Sequence, residues 1–305
     1  MSTSNDVFPV SMFDNIRQHP SNYRLLTRIP LTEEGVDTHF PIELNPKIEG
    51  DTVKTVVFLD TETTGREHTK DEIIELGMVK ATFSVERKII LSVDKFYDEF
   101  EQPQNPIPPE ITKLTGITDE MVAGRNFNEE QIVKFLAGTD LIVAHNASFD
   151  RPFFEKRFTI SSLQTLPWAC SFKEVPWSYL GFPGAKLEYL ATHLGYFYDA
   201  HRAYVDCLAL LWILYTCKES FPHLITSARK SSFKVTVKGN TFSINNDLKR
   251  IRFRFDGFDK SWYKLVNSKE EADSLKDTLE TTYKDGSVNF DVIFKEFTAR
   301  NRYKF

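Results

Sequence analysis

The chain has 305 residues, of which 41% are hydrophobic and 27% are charged. These are ordinary values for a folded globular protein, and they exclude a wholly disordered chain. An odd set of three cysteines, with no metal-type spacing, excludes a disulfide framework and favours a reducing compartment. The sequence shows no signal peptide and no apolar run that could span a bilayer, so it predicts a cytoplasmic protein with no membrane partner.

Charge is unevenly distributed along the chain. Residues 221–305 contain 17 Lys and Arg against 11 Asp and Glu, a net charge of +6, whereas residues 1–220 contain 21 against 32, a net charge of −11. An acidic front and a basic back predict two units with different roles. We therefore expect a polar N-terminal arm over residues 1–50, a main domain over residues 51–220 and a small basic α+β domain over residues 232–305.

The predicted elements of the main domain alternate between strands and helices. Apolar, β-branched runs predict buried strands over residues 52–59, 73–83, 88–100 and 141–144. Helical patterns predict helices over residues 128–136, from 148 onward, 184–195 and 204–217. Ser148 is a good N-cap for the second of these helices, with Pro152 tolerated in its first turn. This order predicts a mixed α/β sheet with helices packed on it.

The remaining segments predict a boundary followed by a smaller unit. Residues 218–232 contain proline, serines and a basic pair, which is typical of a domain boundary. Beyond it, the pattern predicts strands over 233–238 and 287–297, a helix over 269–283, and a hairpin of 251–255 with 262–266 around an Asp-Gly turn.

Two acidic residues stand together where the first predicted strand ends. Asp60 and Glu62 are separated by one residue, so on a strand their side chains point to the same face. Adjacent carboxylates repel each other, and a cation between them removes that cost. Because an Asp-x-Glu pair is common on protein surfaces, it predicts a metal site only together with further acids.

Two later segments offer those acids. Asp150 falls in the first turn of a helix after a buried strand, where an acid also stabilises the helix dipole. His201 and Asp206 are five residues apart, about 500° of helical rotation, so they share a site only if His201 lies in the loop before the helix. Asp206 lies in an apolar run, where an acid needs a partner or a metal ion.

The order of these elements resembles the DEDDh exonuclease superfamily. Asp-x-Glu, then Asp, then His-x4-Asp follow one another on a strand and two helices, and the surrounding segments match as well. These segments are Asp60-Thr-Glu-Thr-Thr-Gly65, Leu114-Thr-Gly-Ile-Thr118 and His145-Asn-Ala-Ser-Phe-Asp150. The resemblance covers residues 54–217, and the chain is similar to bacterial proteins like the epsilon proofreading subunit of DNA polymerase III.

The resemblance implies an RNase H-like α/β fold and a 3′→5′ exonuclease that releases nucleoside 5′-monophosphates. It also implies two Mg²⁺ or Mn²⁺ ions about 4 Å apart, bound by carboxylate oxygens. The implied metal ligands are Asp60 at both ions, Glu62 and Asp206 at one, and Asp150 at the other. The implied general base is His201, because histidine side chains titrate near neutral pH.

Four residues around the site are candidate substrate contacts, each with an ordinary structural alternative. Thr63 and Thr64 could offer hydroxyl or backbone donors to the terminal nucleotide, or simply form a turn that ends at Gly65. Leu114 could wedge against the last base. Asn146 could bond the scissile region, or fix its own loop.

Two departures from the superfamily bear on substrate and partners. The segment 168–171, Trp-Ala-Cys-Ser, replaces the Asp-Thr of many relatives, which puts substrate contacts there in doubt but not the metal site. The epsilon subunit has a flexible tail with a glutamine-based clamp-binding motif, whereas the last glutamine here is Gln164. The sequence therefore favours a stand-alone nuclease at least as much as stable association with a DNA polymerase.

The basic C-terminal unit alternates cations with apolar residues over residues 249–255. On a strand this pattern places Arg250, Arg252 and Arg254 on one face, with the aromatic Trp262 nearby. Aromatic rings beside cations suit single-stranded nucleic acid, through stacking and phosphate contacts. A half-buried strand with a solvated basic face is the slightly favoured alternative.

The expected partner is a nucleic acid with a free 3′ end, with DNA preferred over RNA. An exoribonuclease acting on RNA 3′ ends would use the same carboxylates, and the sequence does not show which residue would discriminate the sugar. A catalytically inactive nucleic-acid-binding module would require a missing carboxylate, and none of the four is missing.

Overall fold

The computed structural model describes residues 10–32, 39–283 and 289–304. It contains a six-stranded mixed sheet, a four-stranded antiparallel sheet in the C-terminal part, and a two-stranded parallel pair. None of the helices in these three ranges is long and apolar enough to cross a membrane.

The main domain is built on the six-stranded sheet. The strands of this part of the chain are β1 (Thr27–Arg28), β2 (Ile42–Glu43), β3 (Val53–Thr63), β4 (Ile73–Ser84), β5 (Ile89–Phe100), β6 (Leu141–Ala144), β7 (Trp168–Cys170) and β8 (Tyr196–Phe197). The main sheet has the order β2-β5-β4-β3-β6-β7. Strands β3, β4 and β5 form an antiparallel meander, and β6 and β7 run parallel to β3.

Helices cover both faces of this sheet. They are α1 (Phe13–Gln18), α2 (Pro109–Thr115), α3 (Asp119–Val122), α4 (Glu129–Leu136), α5 (Ala147–Arg157), α6 (Ser161–Gln164), α7 (Ser171–Glu174), α8 (Leu187–His193), α9 (Ala203–Thr216) and α10 (Ser220–Ala228). Val56 and Phe58 pack on the side of α9 and α10, and Val57 and Leu59 pack on the opposite side. The predicted strands and most of the predicted helices are confirmed within a few residues.

Three predictions for this part of the chain are wrong in detail. Ser148 lies inside α5 and Asn146 occupies the N-cap position, so Pro152 is the sixth residue of the helix and not part of its first turn. The predicted boundary 218–232 contains helix α10, whose apolar side chains pack in the main core. The prediction of a boundary missed this helix, in which Phe221, Leu224 and Ile225 are spaced as one apolar face.

The expected N-terminal arm packs on the main domain in its described parts. Ile29 is fully buried in the core, and Leu31 lies beside it. Strand β1 pairs with β8, and β2 pairs with β5 at the edge of the main sheet. Residues 1–9 and 33–38 of this predicted arm lie outside the described residues.

The C-terminal sheet has the order β10-β11-β9-β12 and is antiparallel throughout. Its elements are β9 (Ser232–Gly239), α11 (Asn245–Arg250), β10 (Arg254–Asp256), β11 (Ser261–Val266), α12 (Lys269–Tyr283) and β12 (Phe290–Phe297). Helix α12 and the inward residues of β9 form a separate apolar core. Residues 287 and 288, the start of the last predicted strand, lie outside the described residues.

After β12 the chain returns to the main domain. The guanidinium of Arg151 in α5 is fully buried, and it donates hydrogen bonds to the carbonyl oxygens of Ala299, Arg300 and Arg302. It also forms an ion pair with Glu155, at 2.8 Å. The tail that follows β12 is therefore part of the packing of the main domain, although it lies within the range expected for the C-terminal unit.

Candidate active site

Strand β3 places two carboxylates on one side of the main sheet. It runs through Asp60 and Glu62 to Thr63, further than the sequence predicts, and the two acids alternate with the buried Thr61. In the antiparallel register Asp60 lies opposite Gly77, and Glu62 lies opposite the fully buried Glu75. The strand pairing becomes irregular directly after Glu62, so the paired acids lie where the regular ladder ends.

Helix α9 approaches these carboxylates through a glycine. A Cβ atom on Gly77 would lie 2.2 Å from the backbone nitrogen of Tyr204 and 2.3 Å from the carbonyl carbon of Ala203. No side chain tolerates such distances, so glycine is required for the first turn of α9 to rest on β4. Asp206, the fourth residue of α9, is thereby brought to the acidic side of β3.

His201 lies in the loop before α9, as the spacing predicts. Its backbone N–H donates to Asp206 Oδ2 at 2.8 Å, and that of Arg202 donates to the same oxygen at 3.1 Å. The hydroxyl of Tyr198 donates to the other carboxylate oxygen, at 3.1 Å. His201 has a φ of 67°, in the left-handed region that costs energy for residues other than glycine. Asp206 thus holds the strained histidine loop through two backbone N–H groups.

Helix α5 contributes the fourth acid. Asp150 lies in its first turn and is almost fully buried, and its Oδ1 accepts a hydrogen bond of 3.0 Å from the Thr61 hydroxyl. The partial positive charge at the helix N-terminus stabilises an acid in this position. Because Thr61 lies between Asp60 and Glu62 on β3, this bond fixes α5 against the strand that carries the first two acids.

Three of the four predicted carboxylates converge closely. Within the described residues, one oxygen each of Asp60, Glu62 and Asp206 lies within 4.8 Å of the other two. Asp150 is not part of this group of three, but its charge acts on Asp60. Carboxylate oxygens are the ligands that hard divalent cations prefer, and a cation would relieve the repulsion between them. The donor set therefore fits Mg²⁺ or Mn²⁺.

A family comparison agrees with this geometry. The model of the RNase T exonuclease family matches residues 57–214, a span of 158 of the 305 residues. The chain belongs to this exonuclease family. The six-stranded mixed sheet with helices on both faces is therefore the exonuclease domain of this family, and this main domain is called the nuclease domain below.

Individual relatives point to the same family. The chain is 32% identical over 196 residues to the DNA polymerase III subunit epsilon of Treponema pallidum, covering 59% of this chain and 85% of that protein. It is 35% identical over 179 residues to the PolC-type DNA polymerase III of Clostridium perfringens, covering 56% of this chain and 11% of that polymerase. The chain thus spans about a tenth of the PolC-type protein.

One solved structure with a similar chain is a zinc-bound complex of Escherichia coli ExoI with single-stranded DNA. The sequence identity is 15% and the TM-score is 0.47, and the match covers 81% of this chain and 63% of that one. At this score the likeness supports no inference about ligands.

Burial and mutual repulsion raise the pKa of all four acids. Burial, the larger cause at each, together with neighbouring carboxylates raises the pKa of Glu62 to about 8 and those of Asp150 and Asp206 to about 7. The pKa of Asp60 is raised well above its ordinary value by burial and by the charges of Asp150 and Asp206. Without a cation, the nuclease domain therefore holds protons on carboxyl groups that would be ionised in water.

A buried network behind the site was not predicted from the sequence. Glu75 accepts hydrogen bonds from the side chain of Arg202, at 2.9 Å, and from the backbone N–H of Ala203, at 3.0 Å. It thereby caps α9 and holds the residue next to His201. The sequence did contain a signal for this network: Glu75 lies inside the apolar run 73–79, shortly before Gly77. A charged residue in a buried strand requires a partner.

For Thr63 and Thr64 the structure shows the alternative role, in the turn after β3. The hydroxyl of Thr63 donates to the carbonyl of Gly65, at 2.6 Å, and that of Thr64 accepts from the N–H of Glu72, at 3.0 Å. Both hydroxyls thus serve the turn after β3. A contact between these threonines and the substrate stays a prediction.

Two other candidates lie on the surface of the nuclease domain. Asn146 is exposed, and its side chain accepts a hydrogen bond of 2.8 Å from the Ser148 hydroxyl, which fixes the start of α5. Leu114 in α2 has 51% of its surface exposed, so its side chain is free to contact a base. Contact of either residue with the substrate stays a prediction.

The predicted basic face of the C-terminal unit does not form. Arg250 ends α11, Arg252 lies in a turn with a φ of 67°, and Arg254 begins β10, so the three do not share a strand face. Trp262 is only 5% exposed and belongs to the apolar core, so it cannot stack on a base. The alternation was misleading because residues 251–253 form a turn and not a strand.

The raised pKa values predict how stability depends on pH and metal. Carboxyl groups with a raised folded-state pKa stabilise the fold fully below their ordinary pKa of about 4, and this contribution is lost as pH rises through about 7 to 8. The melting temperature in EDTA should therefore fall between about pH 5 and pH 8. Added Mg²⁺ or Mn²⁺ should raise it by an amount that grows over this interval, because cations bind the ionised groups.

Scanning fluorimetry at several pH values measures both effects. Asp206→Asn removes one titrating group and serves as the internal comparison, since its curve in EDTA should be flatter. A metal-induced rise that is the same at low and high pH would contradict the assignment of these acids as the cation site.

Gly77→Ala should damage the site without touching any acid. The added methyl group forces α9 away from β4, and a displacement of about 1 Å in a catalytic group can lower kcat by about 10²-fold. Overpacking of this kind should also lower the free energy of unfolding by about 1–3 kcal/mol. Gly184→Ala is the matched control, because a Cβ there would meet Tyr189 at an ordinary 3.6 Å. If both variants had the same kcat on a labelled oligonucleotide, the close approach of α9 to β4 would not determine the activity.

Proposed function

We propose that this protein is a metal-dependent 3′→5′ exonuclease that removes nucleotides from DNA 3′ ends. The observation that carries the proposal is the convergence of Asp60, Glu62 and Asp206 within 4.8 Å, beside Asp150 and the His201 loop, in a domain of the exonuclease family. The names of the relatives support DNA as the substrate, because both similar proteins are DNA polymerase III components.

The proposed cofactors are two Mg²⁺ or Mn²⁺ ions. Asp60, Glu62 and Asp206 would hold the first ion, and Asp150 would complete the second together with Asp60. When bound, such a pair stabilises the attacking and leaving oxygens of an in-line displacement at phosphorus. The four acids bind these cations in their ionised form, so the proposed activity requires loss of the protons that burial retains.

His201 is the proposed general base. His201 is half-buried, and the loop that carries it is held next to the carboxylates by the bonds of its own N–H and that of Arg202 to Asp206. A neutral imidazole can accept the proton of the water that attacks phosphorus. The bonds from the backbone to Asp206 hold this residue in its strained conformation, so Asp206 acts both as a ligand and as a positioning residue.

Polymerase association and cellular location stay predictions. Similarity to an epsilon subunit supports binding to a DNA polymerase, whereas the C-terminal unit of this chain supports independent action on nucleic acid. Co-purification with a polymerase subunit would distinguish the two. A cytoplasmic location remains an expectation from the sequence.

A matched pair of oligonucleotides tests the proposal. DNA and RNA of the same sequence, each labelled at the 5′ end, are incubated with Mg²⁺, with Mn²⁺ and with EDTA. We expect a ladder shortened from the 3′ end on DNA with either metal, 5′-monophosphates as products, and no cleavage in EDTA or by Asp206→Asn. Faster shortening of RNA would replace DNA by RNA as the substrate, and internal cuts or metal-independent cleavage would overturn the exonuclease assignment.

The role of His201 predicts a specific kinetic change. His201→Ala should lower kcat by about 10²–10⁴-fold with little change in KM, because general-base catalysis acts on the chemical step. The rates of both enzymes should rise with pH as the four acids ionise and bind metal, so the two are compared at saturating Mg²⁺ at each pH. Tyr196→Phe, which removes one hydroxyl from a half-buried residue of β8, is the control. If His201→Ala kept the original rate and pH profile, another group would have to be the base.

A further inference from the structure

The C-terminal sheet has one covered and one open face. Inward residues of β9, β11 and β12 pack with α12 in the apolar core, and the alternate residues point away from it. With the polar Ser232 and Thr236 of β9 among them, the outward residues in neighbouring positions include Lys234, Tyr263, Leu265, Ile293, Lys295 and Phe297. These six residues are called the open face. Leu265 is 63% exposed and Ile293 is 57% exposed, so no described element covers them.

The open face pairs cations with aromatic rings. The ammonium group of Lys234 lies 4.7 Å from the centre of the Tyr263 ring, and that of Lys295 lies 5.3 Å from the centre of the Phe297 ring. An antiparallel sheet that merely faces water usually carries polar residues outward, yet here Tyr263, Leu265 and Ile293 lie beside a pair of lysines that are opposite each other in the register. Half-buried rings and exposed aliphatic groups beside cations match the bases and phosphates of a single strand.

A cleft joins the open face to the nuclease domain. It has a volume of about 700 Å³, and one wall includes Lys234, Leu265 and Phe297 of the open face. The other wall includes Lys173 and Lys230 of the nuclease domain. Cations on both walls favour a polyanion.

Glu174, the one acidic residue among the described residues that line the cleft, is already engaged. Glu174 forms an ion pair with Arg302, at 2.9 Å, and accepts a hydrogen bond from the Tyr303 hydroxyl, at 2.8 Å. The other charged residues that line the cleft are the lysines of its two walls and Arg302. The field inside the cleft is therefore positive, in contrast to the acidic pocket of the nuclease domain.

One lysine of the cleft contacts the helix that carries Asp150. Strands β3, β6 and β7 run parallel, so the residues that follow each strand meet at one edge of the sheet. Lys173, just beyond β7, donates a hydrogen bond of 2.8 Å to the Ser148 hydroxyl, two residues before Asp150. A strand whose 3′ end lies at the carboxylates would thus meet Lys173 as it leaves the pocket.

We propose that the cleft and the open face bind the single-stranded part of the substrate on the 5′ side of the scissile nucleotide. The phosphates follow Lys173, Lys230, Lys234 and Lys295, and the bases contact Tyr263 and the apolar residues beside it. This inference rests on the proposed function for the direction of the strand. It replaces the basic face expected from the sequence with a different set of residues on the same domain.

Charge reversal on the open face tests the proposal. The variant Lys234→Glu/Lys295→Glu is compared with Lys269→Glu/Lys276→Glu, which makes the same charge change on α12, the helix that covers the opposite face. Surface variants are used because removal of the C-terminal unit would take away the partners of the buried Arg151. Thermal unfolding checks that both variants fold.

The first measurement is equilibrium binding of a labelled single strand in EDTA. The oligonucleotide has about 20 nucleotides, which is longer than the roughly 4–16 nucleotides that a single-strand-binding β-domain such as an OB fold covers. The open-face variant should bind at least about tenfold more weakly than the control. The slope of log Kd against log salt should decrease by about 1.4, the value for two lost phosphate contacts on a single strand. Tyr263→Ala should weaken binding with little change in slope, and Tyr263→Phe should restore it.

The second measurement is the decrease in KM as the substrate becomes longer. The unaltered enzyme should have a lower KM for the long strand than for a trinucleotide. In the open-face variant the two KM values should be similar, while kcat and the KM for the trinucleotide stay the same. Equal losses in both double variants, or a KM that does not depend on length, would overturn the inference and leave the exonuclease proposal intact. Absence of cleavage of either substrate would instead refute the proposed function, and binding in EDTA would still test the open face.

A competitor distinguishes nucleic acid from an acidic protein partner. If polyglutamate of equal charge displaced the oligonucleotide as well as unlabelled DNA does, the face would recognise charge alone. That result would overturn the assignment to nucleic acid. Weak displacement by polyglutamate, together with sensitivity to Tyr263→Ala, would support it.

Discussion

A backbone contact between Gly77 and the first turn of α9 sets the distance between the two halves of the site. Asp60 and Glu62 belong to the sheet, whereas Asp206 and His201 belong to the segment around the start of α9. Only the missing side chain of a glycine lets the helix lie close enough for the carboxylates to converge. The rest of the site consists of groups that hold this arrangement: Glu75 caps the helix, and Thr61 fixes α5 to the same strand.

The same closeness creates an electrostatic cost. Acids held together in a half-buried pocket retain protons at neutral pH, and each reinforces the raised pKa of the others. A structure optimised for stability alone would keep such groups apart. A cation bound between the acids would offset this cost. Three hydrogen bonds fix the orientation of the Asp206 carboxylate, so it is already positioned for such an ion.

Much of the nuclease domain could be predicted from the sequence, because its signals are local. Strand periodicity located β3 to β6, and the five-residue spacing placed His201 in a loop before α9. The supporting network could not be found in this way, since Glu75 meets Arg202 only across a sequence separation of 127 residues. In the C-terminal unit, alternation over 249–255 predicted a strand, but a left-handed turn at Arg252 interrupts it. The open face became visible only when the register of β9, β11 and β12 was known.

The return of the tail to α5 has a consequence for the order in which the protein can be completed. Arg151 is buried among partners that lie 148 to 151 residues later in the chain. During synthesis from the N-terminus, residues of the catalytic pocket emerge well before Ala299 and Arg302. Until those carbonyls arrive, the guanidinium has Glu155 of its own helix as an ion-pair partner, but burying it would leave its remaining N–H groups without acceptors. The helix that bears Asp150 therefore reaches its final packing only after residues 299–302 have been made.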